Sequence, residues 1–150
     1  MRHRLVAVAM AALVVGACGG DDGDEVGSGG DVARATRTVE VRALDTRKFE
    51  PTEVKVKPGE TVTIRVTNTA TSLHEFYLGS EQQHEDHEEE MAAMGDAEMK
   101  MSDEPNRIFM EAGETKQITW TFPDGGSVIY GCHMPGHFAQ GMRGTVTVEE

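Results

Sequence analysis

Cysteine is nearly missing from this 150-residue sequence: there are two, Cys18 and Cys132, far apart. That excludes a disulfide-rich scaffold and a four-thiolate zinc or iron-sulfur site. Basic residues are also in short supply, with 14 Lys and Arg against 26 Asp and Glu and a net charge of -12. So acidic a chain excludes nucleic acid or an anionic membrane surface as its main partner, and a complementary docking face would be basic. Aromatics make up only 5% while glycines number 17. This balance fits a small, loop-rich β domain better than a helical bundle. Long apolar runs are absent too: the longest, Leu5 to Val15, has 11 residues, where a membrane-spanning helix needs roughly 20.

That short run follows Arg2, His3 and Arg4 and precedes the small residues Gly16 and Ala17, so residues 1–17 read as a signal peptide. Val15-Gly16-Ala17-Cys18 resembles the bacterial lipoprotein signal. The resemblance implies export, lipidation of Cys18, and attachment to a membrane through that lipid anchor only. The next residues, among them Gly19-Gly20-Asp21-Asp22-Gly23-Asp24-Glu25 and Gly27-Ser28-Gly29-Gly30, are too polar to bury anything. Residues 18–36 are therefore expected to be the lipidated cysteine and a flexible tether.

From Arg37 the apolar residues recur every second position, in Thr38–Arg42, Val54–Lys57, Thr61–Thr67, Ile118–Phe122, Val128–Tyr130 and Thr145–Val148. With His74–Leu78 and Arg107–Met110 this predicts about eight short strands separated by Gly/Pro turns. The fold class expected for residues 37–150 is all-β, a two-sheet antiparallel sandwich.

An insertion over residues 81–104 breaks that pattern. It holds ten acidic residues and one lysine, with His84, His87, Met91, Met94, Met99 and Met101. The spacing of residues 84, 87, 91 and 94 predicts a helix with both histidines and two methionines on one stripe, ended by Gly95. Two uses suit this composition. One is a solvated acidic helix whose methionines cap the sandwich. The other is a second, weaker copper site, since thioethers suit Cu(I), imidazoles suit Cu(II) and carboxylates concentrate cations.

The chemistry concentrates in Tyr130-Gly131-Cys132-His133-Met134-Pro135-Gly136-His137-Phe138-Ala139-Gln140-Gly141-Met142-Arg143-Gly144. Cys132, His137 and Met142 stand five apart. A thiolate, an imidazole and a thioether suit a soft, redox-active metal, and copper before zinc or calcium. One more imidazole is needed, and His74 is the candidate because it opens an apolar strand after the loop Asn68-Thr69-Ala70-Thr71-Ser72. Together these residues resemble a cupredoxin, a small blue copper protein of the plastocyanin and azurin family, over roughly Thr38 to Glu149. The resemblance implies a Greek-key β sandwich with one type 1 copper held by His74, Cys132, His137 and, weakly, Met142. It implies single-electron transfer rather than enzymatic catalysis, with no catalytic residues. Pro135 lacks an N–H to donate toward the thiolate. His133 is read as a solvent-edge residue.

Glu75 departs from the better-known members, which often carry Asn after the first histidine ligand. A carboxylate here would orient His74, lower the potential or accept a proton, or would form a surface salt bridge. His74-Glu75-Phe76 followed by the His/Met-rich stretch resembles cupredoxin-like proteins of bacterial copper tolerance. The partner is then either a redox protein or a copper acceptor. A pure electron carrier predicts that truncating residues 81–104 leaves copper retention and potential intact, whereas a delivery protein predicts extra copper held by the insertion.

Overall fold

The computed structural model describes residues 26–94 and 102–149. The expected signal peptide, Cys18, Gly95, Met99 and Met101 lie outside the described residues. The described part contains strands β1 (Ser28–Gly29), β2 (Arg37–Leu44), β3 (Lys48–Glu50), β4 (Glu53–Val56), β5 (Thr61–Asn68), β6 (His74–Gly79), β7 (Arg107–Met110), β8 (Thr115–Thr121), β9 (Ser127–Gly131) and β10 (Arg143–Val148). Helix α1 (Glu81–Ala93) lies between β6 and β7, and a short 3-10 turn covers Val32–Arg34. Among the described residues no helix is long and apolar enough to cross a membrane.

Two five-stranded sheets form, in the orders β1-β8-β5-β2-β3 and β4-β10-β9-β6-β7. The expected sandwich is present, but it is not purely antiparallel: β2 runs parallel to β5 and β4 parallel to β10. The chain leaves the first sheet after β3, adds β4 to the second and returns as β5 beside β2. Alternation places Val41 and Ala43, Val54 and Val56, and Val62, Ile64 and Val66 in one core between the sheets. Burial of each of the larger residues is worth about 1.5–3 kcal/mol. Phe49, Phe76 and Tyr130 meet at its centre with ring centroids 5.2–5.6 Å apart. The Tyr130 hydroxyl donates to Pro51 O at 2.6 Å, so the one polar atom of that cluster is satisfied.

From Val26 onward the expected tether is docked on the sandwich, which corrects the reading of 18–36 as flexible throughout. β1 pairs with β8, the Gly30 N–H donates to Thr119 O at 2.9 Å, and Trp120 Nε1–H donates to Val26 O at 2.7 Å. A Cβ on Gly27, whose φ is +88°, would come within 2.1 Å of Thr121 O. Glycine here permits close approach of two backbones, a use its composition does not distinguish from flexibility.

The insertion forms the expected helix. Ser80 Oγ accepts the Gln83 N–H at 3.2 Å and Gln83 Oε1 accepts the Ser80 N–H at 3.0 Å, a reciprocal cap that starts α1. His84, His87 and Met91 are buried, and Met94 caps the C-terminus half-buried. The helix lies against β6 and β9, the two strands that lead into the metal-binding residues.

Candidate metal centre

His74 opens β6 with its side chain inward, and Cys132 follows the end of β9, the neighbouring strand. The loop before His74 is tied by Asn68, whose Nδ2 donates to Ser72 O at 2.7 Å and to Met110 O at 2.9 Å. The loop after Cys132 is a chain of tight turns. His137 N–H donates to Met134 O at 2.8 Å, Gly141 N–H to Phe138 O at 2.8 Å, and Met142 N–H to His137 O at 3.0 Å. Lys48 Nζ, from β3, pins it from outside by donating to Gln140 O at 2.8 Å. Cys132 N–H then donates to Met142 O at 3.1 Å, which closes the loop and sets Met142, wholly buried, beside the thiol.

Three donor atoms converge. His137 Nδ1 lies 3.4 Å and His74 Nδ1 3.8 Å from Cys132 Sγ. Trigonal ligands on bonds of about 2.0 Å to nitrogen and 2.3 Å to sulfur stand about 3.7 Å apart. The spacing therefore fits one metal ion between them. Among the described residues this is the one group of three His, Cys, Asp or Glu side chains whose ligand atoms all lie within 4.8 Å of each other. His137 alone reaches the surface appreciably, at 9% exposure.

Burial decides the electrostatics. It pushes the Cys132 thiol up to about 12, against the opposing backbone N–H donors of Glu75 and Met134. Binding a metal therefore expels the thiol proton. Burial, reinforced by the charge His137 would carry, lowers His74 to about 4, and burial also lowers His137. Both imidazoles are thus neutral at physiological pH and free to bind a metal. Two imidazoles, a buried thiol and a buried thioether are the donor set of an electron-transfer copper site.

Pro135 is exposed in the loop after Cys132, and Glu75 differs from its expected surface role. It has no exposed surface and so makes no surface salt bridge. Its N–H points at Cys132 Sγ from 3.4 Å, Oε2 accepts the His133 N–H at 2.9 Å and Oε1 meets His87 Nε2 at 2.9 Å. Burial opposes the charge on His87, but its hydrogen bond and attraction to Glu75, with Glu90, raise it above the ordinary value. His133 is 1% exposed, which corrects its reading as a solvent-edge residue. Burial pushes it down to about 3. Of the residues expected of a second copper site that are described, His84 pairs with His133 at 2.8 Å and His87 with Glu75, while Met91 is buried on the same helix. Strand alternation was the available signal for both outward residues. A neighbour of an inward ligand faces outward, and the buried histidine stripe of α1 is its polar counterpart.

Fold and site define a cupredoxin, a β sandwich holding one type 1 copper at the loop between its last two strands. The profile of copper binding proteins of the plastocyanin/azurin family matches residues 35–149, and the chain belongs to that family. It is 41% identical to the copper-resistant cuproprotein CopI of Rubrivivax gelatinosus over 122 residues, 81% of this chain and 72% of that protein. It is 33% identical to CopI of Pseudomonas aeruginosa, covering 85% and 84%, and 30% identical to auracyanin-A of Chloroflexus aurantiacus, covering 99% and 97%. The solved structure of auracyanin from Roseiflexus castenholzii superposes with a TM-score of 0.63 at 27% identity, covering 77% of this chain and 99% of the other.

Proposed function

We propose that the protein is a lipid-anchored cupredoxin outside the cytoplasm that serves copper tolerance by moving single electrons at a firmly held copper. The observation that carries this reading is the prepared trigonal set: His74, Cys132 and His137 are fixed by backbone hydrogen bonds on both flanking loops and are at most 9% exposed. Copper bound there supplies Cu(I)/Cu(II) chemistry. The chain's part is to hold the geometry for both states, shield the thiolate and leave the edge of His137 as the nearest point of contact. No catalytic residue is assigned. The partner in this reading is a redox protein with a basic docking face, suited to the chain's net charge of -12. Similarity to CopI and to auracyanin supports copper tolerance and the type 1 copper chemistry, respectively.

The second reading treats copper as cargo, delivered to an acceptor, and is favoured by the histidine-bearing helix beside the site. Titration of the protein with Cu(II), followed by visible absorption and voltammetry beside Cys132→Ser, tests both. The first reading expects an intense thiolate-to-copper band at one equivalent, absent from the variant, a reversible potential, and copper that resists a competing chelator for hours. Copper that leaves within the mixing time would transfer the case to the cargo reading, and no band at all would defeat both.

A further inference from the structure

The alternation that sends His74 and Cys132 into the sandwich sends Glu75 to its outer face, where it meets His87 beneath α1. His87 is 4% exposed, and both of its ring nitrogens face carboxylates. Nε2 lies 2.9 Å from Oε1 of the wholly buried Glu75. An ionised carboxylate only accepts, so Nε2 carries a proton whether the ring is neutral or charged. Nδ1 is then the atom that gains or loses one. It faces Glu90 Oε2 at 3.4 Å, and the Glu90 side chain is 65% exposed. His87, Glu90, Asp86, Glu104 and Arg107 border one open cavity of about 520 Å³. Protons therefore reach Nδ1 from solvent along the outside of the sandwich, without passing the metal-binding residues.

Inward, the same pair reaches those residues. The Glu75 N–H points at Cys132 Sγ from 3.4 Å, and Glu75 Oε2 accepts the N–H of the residue after Cys132 at 2.9 Å. The ground between Sγ and the His87 ring is wholly buried protein, where a change of charge at one end is felt at the other far more than through water. Other groups face the ring as well. α1 supplies Glu88 and His84, and β6 supplies Tyr77, whose ring centroid is 4.7 Å away. His133 lies at 4.8 Å, kept neutral by burial as His84 is, and Arg107 of β7, paired with Glu104, opposes a charge on His87. Burial opposes it too, but the hydrogen bond and the charge of Glu75, with Glu90, outweigh both and place the titration of His87 above 6.5.

We propose that His87 is a redox-linked proton site, whose Nδ1 takes up a proton when the copper centre is reduced and releases it to the cavity when the centre is oxidised. This rests on the reading of the chain as a type 1 electron carrier and adds a proton to the transfer. On reduction one electron enters from the partner redox protein and one proton enters from bulk water. The electron converts Cu(II) to Cu(I), and the proton forms the Nδ1–H bond, so the positive charge lost at the metal reappears at the ring. Oxidation reverses both movements. Glu90 holds the proton in place, and Glu75 couples the ring to the thiolate.

The test is voltammetry of the copper-loaded, full-length protein in detergent between about pH 5 and 9, in the wild type, His87→Gln and Glu90→Gln. Histidine ring resonances of the metal-free proteins are followed by NMR over the same range. In the wild type the midpoint potential is expected to fall as pH rises through the titration of His87 and then to level off. An about 10-fold difference in its proton affinity between the two copper states amounts to a fall of about 59 mV in all. His87→Gln, which keeps an amide N–H for Glu75, removes this step and leaves the potential at the wild type's alkaline value. It also removes the one resonance that titrates above 6.5. Glu90→Gln moves both the step and the resonance to lower pH without abolishing either. If His87→Gln loses the thiolate band through misfolding, the shift in Glu90→Gln, a change on the exposed face of α1, decides. A wild-type potential that is flat while the thiolate band is present, or a step that survives His87→Gln unchanged, overturns the proposal and leaves the type 1 reading standing. A wild type without the thiolate band overturns that reading, and this proposal with it.

Discussion

Glu75 shows how much one side chain can fix. With no exposed surface it ties three things together: the strand carrying His74, the residue after Cys132, and helix α1 through His87. Replacing it with an apolar side chain leaves the buried His87 Nε2 and the His133 N–H without their partner. Breaking a buried pair from one side costs about 3–5 kcal/mol. Glu75→Leu is therefore expected to lower the stability of the metal-free protein by about 3 kcal/mol, read from urea unfolding. Glu75→Gln, which keeps an amide oxygen for the His133 N–H, should lose less. Equal losses would show that the charge on His87 is immaterial. The copper ligands themselves were legible in the sequence because thiolate, imidazole and thioether at fixed spacing have few other uses. His133 was not, because what buries it is a helix whose docking no local pattern announces.

At the scale of elements, α1 carries the largest departure from what the sequence suggests. Its acidic face and its His/Met stripe were legible from periodicity, and so was its existence as a helix. Its place over β6 and β9 was not, since little apolar surface signals which strands it covers. If the protein were simply an electron carrier, the sequence would make residues 81–104 dispensable. The structure makes their removal consequential: Glu75 loses His87, and both Glu75 and His133 meet water. An uncompensated carboxylate and a wetter site each favour Cu(II) over Cu(I). Replacing 81–104 with a short Gly/Ser linker is accordingly expected to lower the midpoint potential in voltammetry and the thermal midpoint of the metal-free protein. An unchanged potential would reduce α1 to a passive cap. β1 was illegible for a different reason. It is held by main-chain pairing and by glycines that allow close approach, and neither leaves a hydrophobic pattern.

For the whole molecule, the buried histidines set the response to acid. His74, lowered to about 4, and His133, lowered to about 3, stay neutral in the folded protein where the unfolded chain, near 6.5, takes up protons. His84 and His137 are lowered in the same sense, again chiefly by burial. The unfolded state thus binds more protons between pH 6.5 and about 4, so stability falls as pH falls through that window. His74 and His133 each contribute about 2 kcal/mol of loss by pH 5. His87, raised despite its burial by Glu75 and Glu90, works the other way: its contribution is present below 6.5 and lost as pH rises through its folded value. Four groups oppose one, so the metal-free protein is expected to unfold at lower urea at pH 5.5 than at pH 7. Bound copper reverses part of the effect, because it occupies His74 and His137 only in their neutral forms and binds Cys132 only after its proton has left. Copper affinity should therefore rise with pH, with proton release measurable in weakly buffered solution. A protein whose unfolding midpoint is flat from pH 7 to 5.5 would show that these histidines are hydrated, and with them the shielding on which firm copper retention depends.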